Sequence, residues 1–289
     1  MVKNITVGSD PEFAAFENEI PKSAVGFIPG TKRQPYPLTD DGEFSIQIDN
    51  VGVEGCIPPA YTKQQFVNNI EIIKKLTQEK LQEQQPLWQL RCVSSARYSN
   101  KELNSRIAQL FGCEPSYDAY TLDISPRPTP EQVGNLRSFG FHIHIGYECE
   151  GSDARDAAIN IIKAMDLTVG LGSLFLDTDT DRRQIYGNPG DFRFRQIENI
   201  NIVEYRTLGG AMSRNEIITG WVYDGVMQAV ELANNWSSQL ENDTLIAAEA
   251  IRNNNVEVAT SIMNRYNINN PYEYANSHQY TGTTLASSI

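Results

Sequence analysis

The sequence predicts an α+β protein in which helices pack against a largely antiparallel sheet. Several short segments alternate apolar and polar residues and are separated by turn residues, most clearly over residues 137–147. Segments with helical apolar spacing, such as residues 62–84, lie between some of these strands but not after every one. That distribution favours hairpin-connected strands over a regular parallel β-α-β arrangement.

In chain order, the first half of the sequence predicts a strand over residues 5–16, with Pro11 as an edge or bulge, and then a Gly- and Pro-rich loop over 26–41. It next predicts a strand over 44–54, a helix over 62–84, a strand over 87–93 and a short helix over 100–111. The second half predicts an irregular segment over 112–132, a strand over 137–147, a helix over 152–176, an arginine-rich loop over 177–196, a strand over 200–208, a helix over 215–240 and one or two helices over 244–266. Residues 267–289 are polar with few apolar anchors, which predicts a surface tail after a single domain spanning 1–266.

Composition limits the classes of function. The 289 residues include 24 Lys and Arg against 36 Asp and Glu, giving a formal net charge of −12. This charge disfavours nucleic-acid binding, and no run of about 18 apolar residues predicts a membrane span. The first residues carry no apolar leader, and the four cysteines form no CxxC pair, so we expect a cytoplasmic protein with reduced thiols.

Two of the three histidines lie on one face of the clearest strand. By strand parity, His142 and His144 point away from the apolar side chains, and Gly140 and Gly146 flank them. This arrangement is typical of a ligand site, and the glycines would leave room for a ligand near the backbone. The alternative is two surface histidines on a half-exposed strand.

Acidic residues lie on three other predicted strands. Asp10 and Glu12 share a face of the first strand, Glu54 lies among apolar residues, and Glu204 shares a face with Arg206. Taken singly, these carboxylates could be solvated or engaged in a simple ion pair.

Arginines are concentrated late in the chain. No lysine follows Lys163, yet Arg182, Arg183, Arg193, Arg195 and Arg206 fall within 25 residues. Planar bidentate cations in an acidic protein favour a bound anion, most simply phosphate, over a salt-bridged surface. Together with the acids and imidazoles, they predict a metal–nucleotide site, although the P-loop, HExxH and GxSxG motifs are absent from the sequence.

Several ordered motifs resemble those of the phage-type carboxylate–amine ligases, amidoligases of the glutamine synthetase-like superfamily. The motifs are GSDPEF at 8–13, the 49–59 segment with Glu54, FGCEP at 111–115, HIHIGY at 142–147, RRQIYG at 182–187 and VEYRT at 203–207. The resemblance implies a twisted antiparallel sheet forming an open funnel with helices outside. It also implies ATP, two or more Mg²⁺ or Mn²⁺ ions, and formation of an amide from a carboxylate and an amine.

The resemblance also implies roles for individual residues. Metal ligands would be Glu12, Glu54, His142 and Glu204, with Asp10 as a possible addition. The nucleotide-binding residues would be Arg182, Arg183, Arg193, Arg195 and Arg206, and the catalytic residues Arg206, Arg193 and His144. Asp118 and Asp123 are candidates for the base that deprotonates the amine, and the location would be the host cytoplasm if a phage encodes the chain.

Other classes of function remain open. A His-x-His metallohydrolase needs further histidines, and only His278 remains. A phosphotransferase acting on a carboxylate or guanidino group could use the same fold, and a non-catalytic virion-associated protein could retain it.

Overall fold

The computed structural model describes residues 1–109, 115–126, 128–149 and 154–278. Three predicted features lie outside the described residues: the helix start at residue 152, the FGCEP motif except Pro115, and residues 279–289 of the predicted tail. The described strands are β1 (Val2–Glu17), β2 (Ile20–Lys22), β3 (Tyr36–Pro37), β4 (Ser45–Asp49), β5 (Gly52–Cys56), β6 (Trp88–Arg91), β7 (Ser95–Arg97), β8 (Tyr117–Asp118), β9 (Leu136–Ser138), β10 (Phe141–Cys149), β11 (Asp191–Ile197) and β12 (Ile200–Tyr205).

The helices lie mostly in the second half of the chain. They are α1 (Lys63–Gln84), α2 (Arg106–Gln109), α3 (Pro130–Val133), α4 (Ala154–Met165), α5 (Leu171–Ser173), α6 (Thr180–Ile185), α7 (Glu216–Asn234), α8 (Ser238–Arg252), α9 (Val256–Arg265) and α10 (Pro271–Ser277). A π-helical turn (Asp166–Gly170) joins α4 to α5, and a 3₁₀ turn (Gly210–Ser213) precedes α7.

The main sheet is antiparallel throughout its described pairings. Its strand order is β3-β4-β5-β1-β10-β12-β11-β8, while β2 and β6 pair with the end of β1. Strands β7 and β9 form a separate antiparallel pair. The α+β class with a large antiparallel sheet is therefore confirmed, and the funnel shape stays a prediction.

Helices cover one face of β1, β10 and β12, and the side chains between them form the main apolar core. The buried side chains of Val7, Ile143, Ile145, Val203 and Tyr205 belong to one apolar cluster with residues of α1, α4 and α7. Each fully buried aliphatic side chain of this kind stabilises the fold by roughly 1.5–3 kcal/mol. Because side chains alternate along a strand, this packing turns the opposite residues toward the other face.

Several segments differ from their predictions. The helix predicted over 215–240 is in fact two helices, because α7 ends at Asn234 and α8 begins at Ser238. The predicted strand over 44–54 is the hairpin β4–β5, in which Asp49 pairs with Gly52 and Asn50 adopts a left-handed φ of 53°. A two-residue hairpin turn requires such a conformation, and asparagine accepts it readily. The loop predicted over 177–196 is wrong, because it contains α6 and β11, whose Phe and Arg residues alternate as in a strand.

The described start of the predicted tail is also ordered. Asn270 caps α10 in a capping box with Glu273, and Pro271 occupies the first turn. Trp221 Nε1 donates to the Asn269 carbonyl, and Tyr274 is buried. The domain boundary at residue 266 stays a prediction. Among the described residues, no helix is both long and apolar enough to cross a membrane.

Candidate functional site

The register of four neighbouring strands brings the predicted site residues to one face. His144 is opposite Gly8 on β1 and opposite Glu204 on β12, and Glu204 is opposite Arg193 on β11. The adjacent row places Asp10 opposite His142. Directly opposed side chains in an antiparallel sheet are close enough to interact, so the rows form one polar surface.

Pro11, predicted at an edge or a bulge, lies inside β1, where it is paired on one flank and at a break in the pairing on the other. It pairs with Phe141 of β10, and the next residue, Glu12, donates its backbone N–H to the Gly140 carbonyl. Backbone N–H groups alternate along a strand, so the nitrogen of Pro11 faces the other flank. On that flank, β1 pairs with Ala60 through Val7 and with β5 from Glu12 onward, and Pro11 lies between these two pairings. A backbone donor is therefore not needed at Pro11.

Asp10 lies at the centre of the polar surface. Its Oδ1 is 3.2 Å from His142 Nδ1 and 3.5 Å from His144 Nε2. One ligand atom each from Asp10, His144 and Glu204 lie within 4.8 Å of one another, the only such group found among the described residues. The predicted ligand set named Glu204 and gave Asp10 as an addition; it assigned His144 to catalysis instead.

Glu12 and Glu54 form a second acidic pair beside this group. They are opposed residues on β1 and β5, and Glu12 Oε2 accepts a 2.6 Å hydrogen bond from the Gly140 N–H. Glu12 Oε1 is 3.8 Å from His142 Nδ1. Glu54 is buried, and its Oε2 accepts no hydrogen bond within the described parts of the chain. The structure thus gathers all four predicted ligands, with the role of each still a prediction.

Burial and neighbouring negative charges raise the pKa of three carboxyl groups on the acidic surface. Burial, reinforced by Asp49, raises the pKa of Glu12 to about 7. Burial and the charges of Asp10 and Asp49 raise the pKa of Glu54 well above its usual range. Burial also raises the pKa of Glu204, and Asp10 adds to this shift. Carboxylates buried this closely need a cation, and their oxygen and imidazole donors suit Mg²⁺ or Mn²⁺.

The imidazoles respond in opposite directions. Burial and the charge of Arg206 lower the pKa of His142 to about 3, so this ring is neutral at physiological pH. Burial opposes protonation of His144 as well, but Asp10 and Glu204 outweigh it and raise the pKa of His144. For Asp10, burial favours the neutral acid, yet both imidazoles hold its pKa well below the usual range.

The arginine cluster divides into two groups. Arg206 is buried and donates to Glu204 Oε1 and to the Tyr186 hydroxyl, and Arg193 Nη1 lies 3.4 Å from the same Glu204 oxygen. Arg195 is exposed, and its charge lowers the pKa of Glu204 from the next position on this face of β11. These three guanidiniums adjoin the acidic surface.

Arg182 and Arg183 contact the protein itself. Buried Arg182 donates to the backbone carbonyls of Arg206 and Thr207, and so supports the chain after β12. Arg183 donates to Asn254 Oδ1 and the Asp177 carbonyl. Their predicted nucleotide contacts stay predictions.

The glycines of the His-x-His strand do not leave room for a ligand. A Cβ at Gly140 would lie 2.4 Å from His142 Nε2, and one at Gly146 would lie 2.4 Å from Thr6 Oγ1. The expectation at these two positions is therefore wrong, because neighbouring side chains fill the space. Opposite His144, a Cβ at Gly8 would meet only His144 Cβ, at 3.7 Å.

Two site residues were not singled out from the sequence. Lys32 Nζ lies 2.9 Å from Asp49 Oδ1 and 3.8 Å from Glu54 Oε2. Tyr186 accepts from Arg206 and lies 6.4 Å from the His142 ring, centroid to centroid. Tyr186 belongs to the RRQIYG motif, which could have identified it, whereas Lys32 sits in a Gly- and Pro-rich loop without a comparable signal.

The two candidate bases belong to a turn around β8. Asp118 Oδ1 accepts from the Tyr120 N–H at 2.7 Å, and the Asp118 N–H donates to the Asp123 carbonyl at 2.9 Å. Asp123 is exposed. The role of either residue as the base stays a prediction.

No protein-family model and no curated protein matches this chain. One similar solved structure is named "GmaS/ADP complex-Conformation 1" and is 9% identical over 98% of this chain and 72% of its own. Its TM-score is 0.39, so the likeness supports no conclusion about fold or activity.

Proposed function

We propose that the protein is an ATP-dependent carboxylate–amine ligase that forms an amide through an acyl phosphate. The observation that carries the proposal is the convergence, on one sheet face, of a carboxylate–imidazole group with Arg193 and Arg206 around Glu204. Such a surface suits a metal-bound polyphosphate. The choice of ligation among phosphoryl transfers rests on the sequence motifs, and the open funnel and the 1–266 domain belong to the same proposal.

Asp10, His144 and Glu204 would hold one divalent cation, with Glu12, Glu54 and His142 available for another. The raised carboxyl pKa values of Glu12, Glu54 and Glu204, and the buried Glu54 Oε2 that accepts no hydrogen bond among the described residues, fit a cation at this surface. A bound Mg²⁺ or Mn²⁺ would supply positive charge that neutralises the phosphate oxygens.

The guanidiniums would hold the transferred group. Arg206 and Arg193 would donate to oxygens of the γ-phosphoryl group, and exposed Arg195 would attract the polyphosphate to the surface. The substrate carboxylate oxygen forms a bond to the γ-phosphorus while the bond to the ADP oxygen breaks. The amine nitrogen then attacks the acyl carbon, inorganic phosphate leaves, and the amine loses its proton to a base.

The direct test is ATP-dependent phosphate release in mixtures of amino acids, peptides and amines, with mass spectrometry of the products. A ligase gives a product lighter than the two substrates combined by one water, and release needs both substrates. The Arg206→Lys variant should lose this activity. Arg97→Lys, at an exposed ion pair with Asp181, serves as the matched control. Phosphate or ADP release that needs no amine would favour the phosphotransferase alternative.

A further inference from the structure

The Glu204 carboxylate contacts guanidinium groups and also belongs to the candidate cation group. Glu204 Oε1 accepts from Arg206 Nη1, lies 3.4 Å from Arg193 Nη1 and lies 3.7 Å from His142 Nδ1. The same side chain completes the candidate cation group with Asp10 and His144. A cation and the two guanidiniums therefore compete for the charge of Glu204.

Burial makes this competition matter. The Arg206 side chain is 2% exposed and that of Glu204 is 12% exposed, so solvent screens neither charge well. Arg206 also donates to the Tyr186 hydroxyl, which is not a carboxylate and does not take the place of Glu204. If Glu204 turns its charge toward a cation, the guanidinium of Arg206 is left under-compensated in a desolvated place. An anion is the ligand that restores the balance.

We infer that Glu204 is a charge-exchange residue that couples cation binding to binding of a phosphate-like anion. Without a divalent cation, Glu204 neutralises Arg206 and Arg193, and the anion binds weakly. With the cation in place, the guanidiniums turn to the anion. This inference rests on the proposed cation and phosphate roles of the site, and linkage requires each ligand to raise the affinity of the other by the same factor.

The first test measures sulfate binding by calorimetry in metal-free protein at constant ionic strength. Glu204→Gln keeps the side-chain shape but releases the guanidiniums, so we expect sulfate to bind about tenfold tighter than in the wild type. Glu19→Gln also removes one carboxylate charge from an arginine, at the Arg91 ion pair outside the site. We expect this control to bind sulfate nearly as weakly as the wild type.

A second, double variant identifies the guanidinium that binds the sulfate. Adding Arg206→Gln to Glu204→Gln should remove most of the gain in sulfate affinity. Equal gains in Glu204→Gln and Glu19→Gln would show that only net charge matters, and would overturn the inference.

The reverse measurement uses the wild type and does not depend on the folding of any variant. Mn²⁺ affinity, measured by electron paramagnetic resonance, should rise with saturating sulfate by the same factor by which Mn²⁺ raises sulfate affinity. Mn²⁺ affinity indifferent to sulfate would refute the coupling even if Glu204→Gln fails to fold. Neither measurement involves ATP turnover, so coupling without ligase activity, or ligase activity without coupling, would separate this inference from the proposed function.

Discussion

Replacing Asp166 by asparagine should preserve the fold and change how its stability depends on pH. Asp166 is fully buried in the π-helical turn behind β12. The Tyr205 hydroxyl donates to its Oδ1 at 2.7 Å, and its Oδ2 lies 2.9 Å from the Tyr120 oxygen, which is also 3.1 Å from the Thr244 carbonyl. The Tyr120 hydroxyl has one proton but two neighbouring acceptors, Asp166 and the Thr244 carbonyl. If Asp166 is neutral and donates to Tyr120, and Tyr120 donates to Thr244, each of these oxygens has a hydrogen-bond partner. An asparagine N–H can make the same donation.

The magnitude follows from the pKa of Asp166. Burial raises this pKa from 3.8 to about 7, although hydrogen bonds that the Tyr205 and Tyr120 hydroxyls donate to the ionised carboxylate act in the opposite direction. Between these values the folded protein binds a proton that the unfolded chain does not. The free energy of unfolding of the wild type therefore falls as pH rises from about 4 to 7, and the variant lacks this loss. Between pH 5 and pH 8 the stability of Asp166→Asn relative to the wild type should increase by about 2–3 kcal/mol.

Urea denaturation of both proteins at pH 5, 6, 7 and 8 measures the difference directly. Arg252 and Asp191 act on Asp166, and Lys163 lies over the Tyr120 ring, but these groups are the same in both proteins. The exposed Asp123→Asn variant controls for loss of a surface carboxylate. A stability difference between wild type and Asp166→Asn that is the same at pH 5 and pH 8 would refute a neutral Asp166.

Three further predictions test the site. Arg206→Lys should lower ATP-dependent phosphate release by roughly 10²–10³, because lysine lacks the planar donor pair, while Arg97→Lys keeps the wild-type rate; a near-normal Arg206→Lys would return Arg206 to a structural role. Glu54→Gln should fold but lose Mg²⁺-dependent ATP binding in calorimetric titration, and unchanged affinity would exclude Glu54 as a ligand. Mn²⁺ at about 100 times its Kd should raise the free energy of unfolding by about 2.7 kcal/mol in the wild type and much less in His144→Gln; equal gains would place the ion elsewhere.

Local pattern alone predicted the parts of the fold in which one periodicity dominates. Apolar spacing identified the helix that the structure places at Lys63–Gln84, with Thr62 as its N-cap. Alternation over residues 137–147 separated Ile143 and Ile145 from His142 and His144, and the structure buries the aliphatic pair beneath the helices. These features are local because a helix or strand repeats over a few residues.

Tertiary structure decided which of the polar residues meet. Register places Glu204 opposite His144 and Arg193. Arg182 comes from α6 instead and donates to the backbone carbonyls of Arg206 and Thr207. No spacing along the chain encodes such pairings, because they depend on strands that are far apart in sequence. Parity showed which side of each strand carries charge, but only the folded sheet shows that one oxygen of Glu204 lies between imidazole and guanidinium groups.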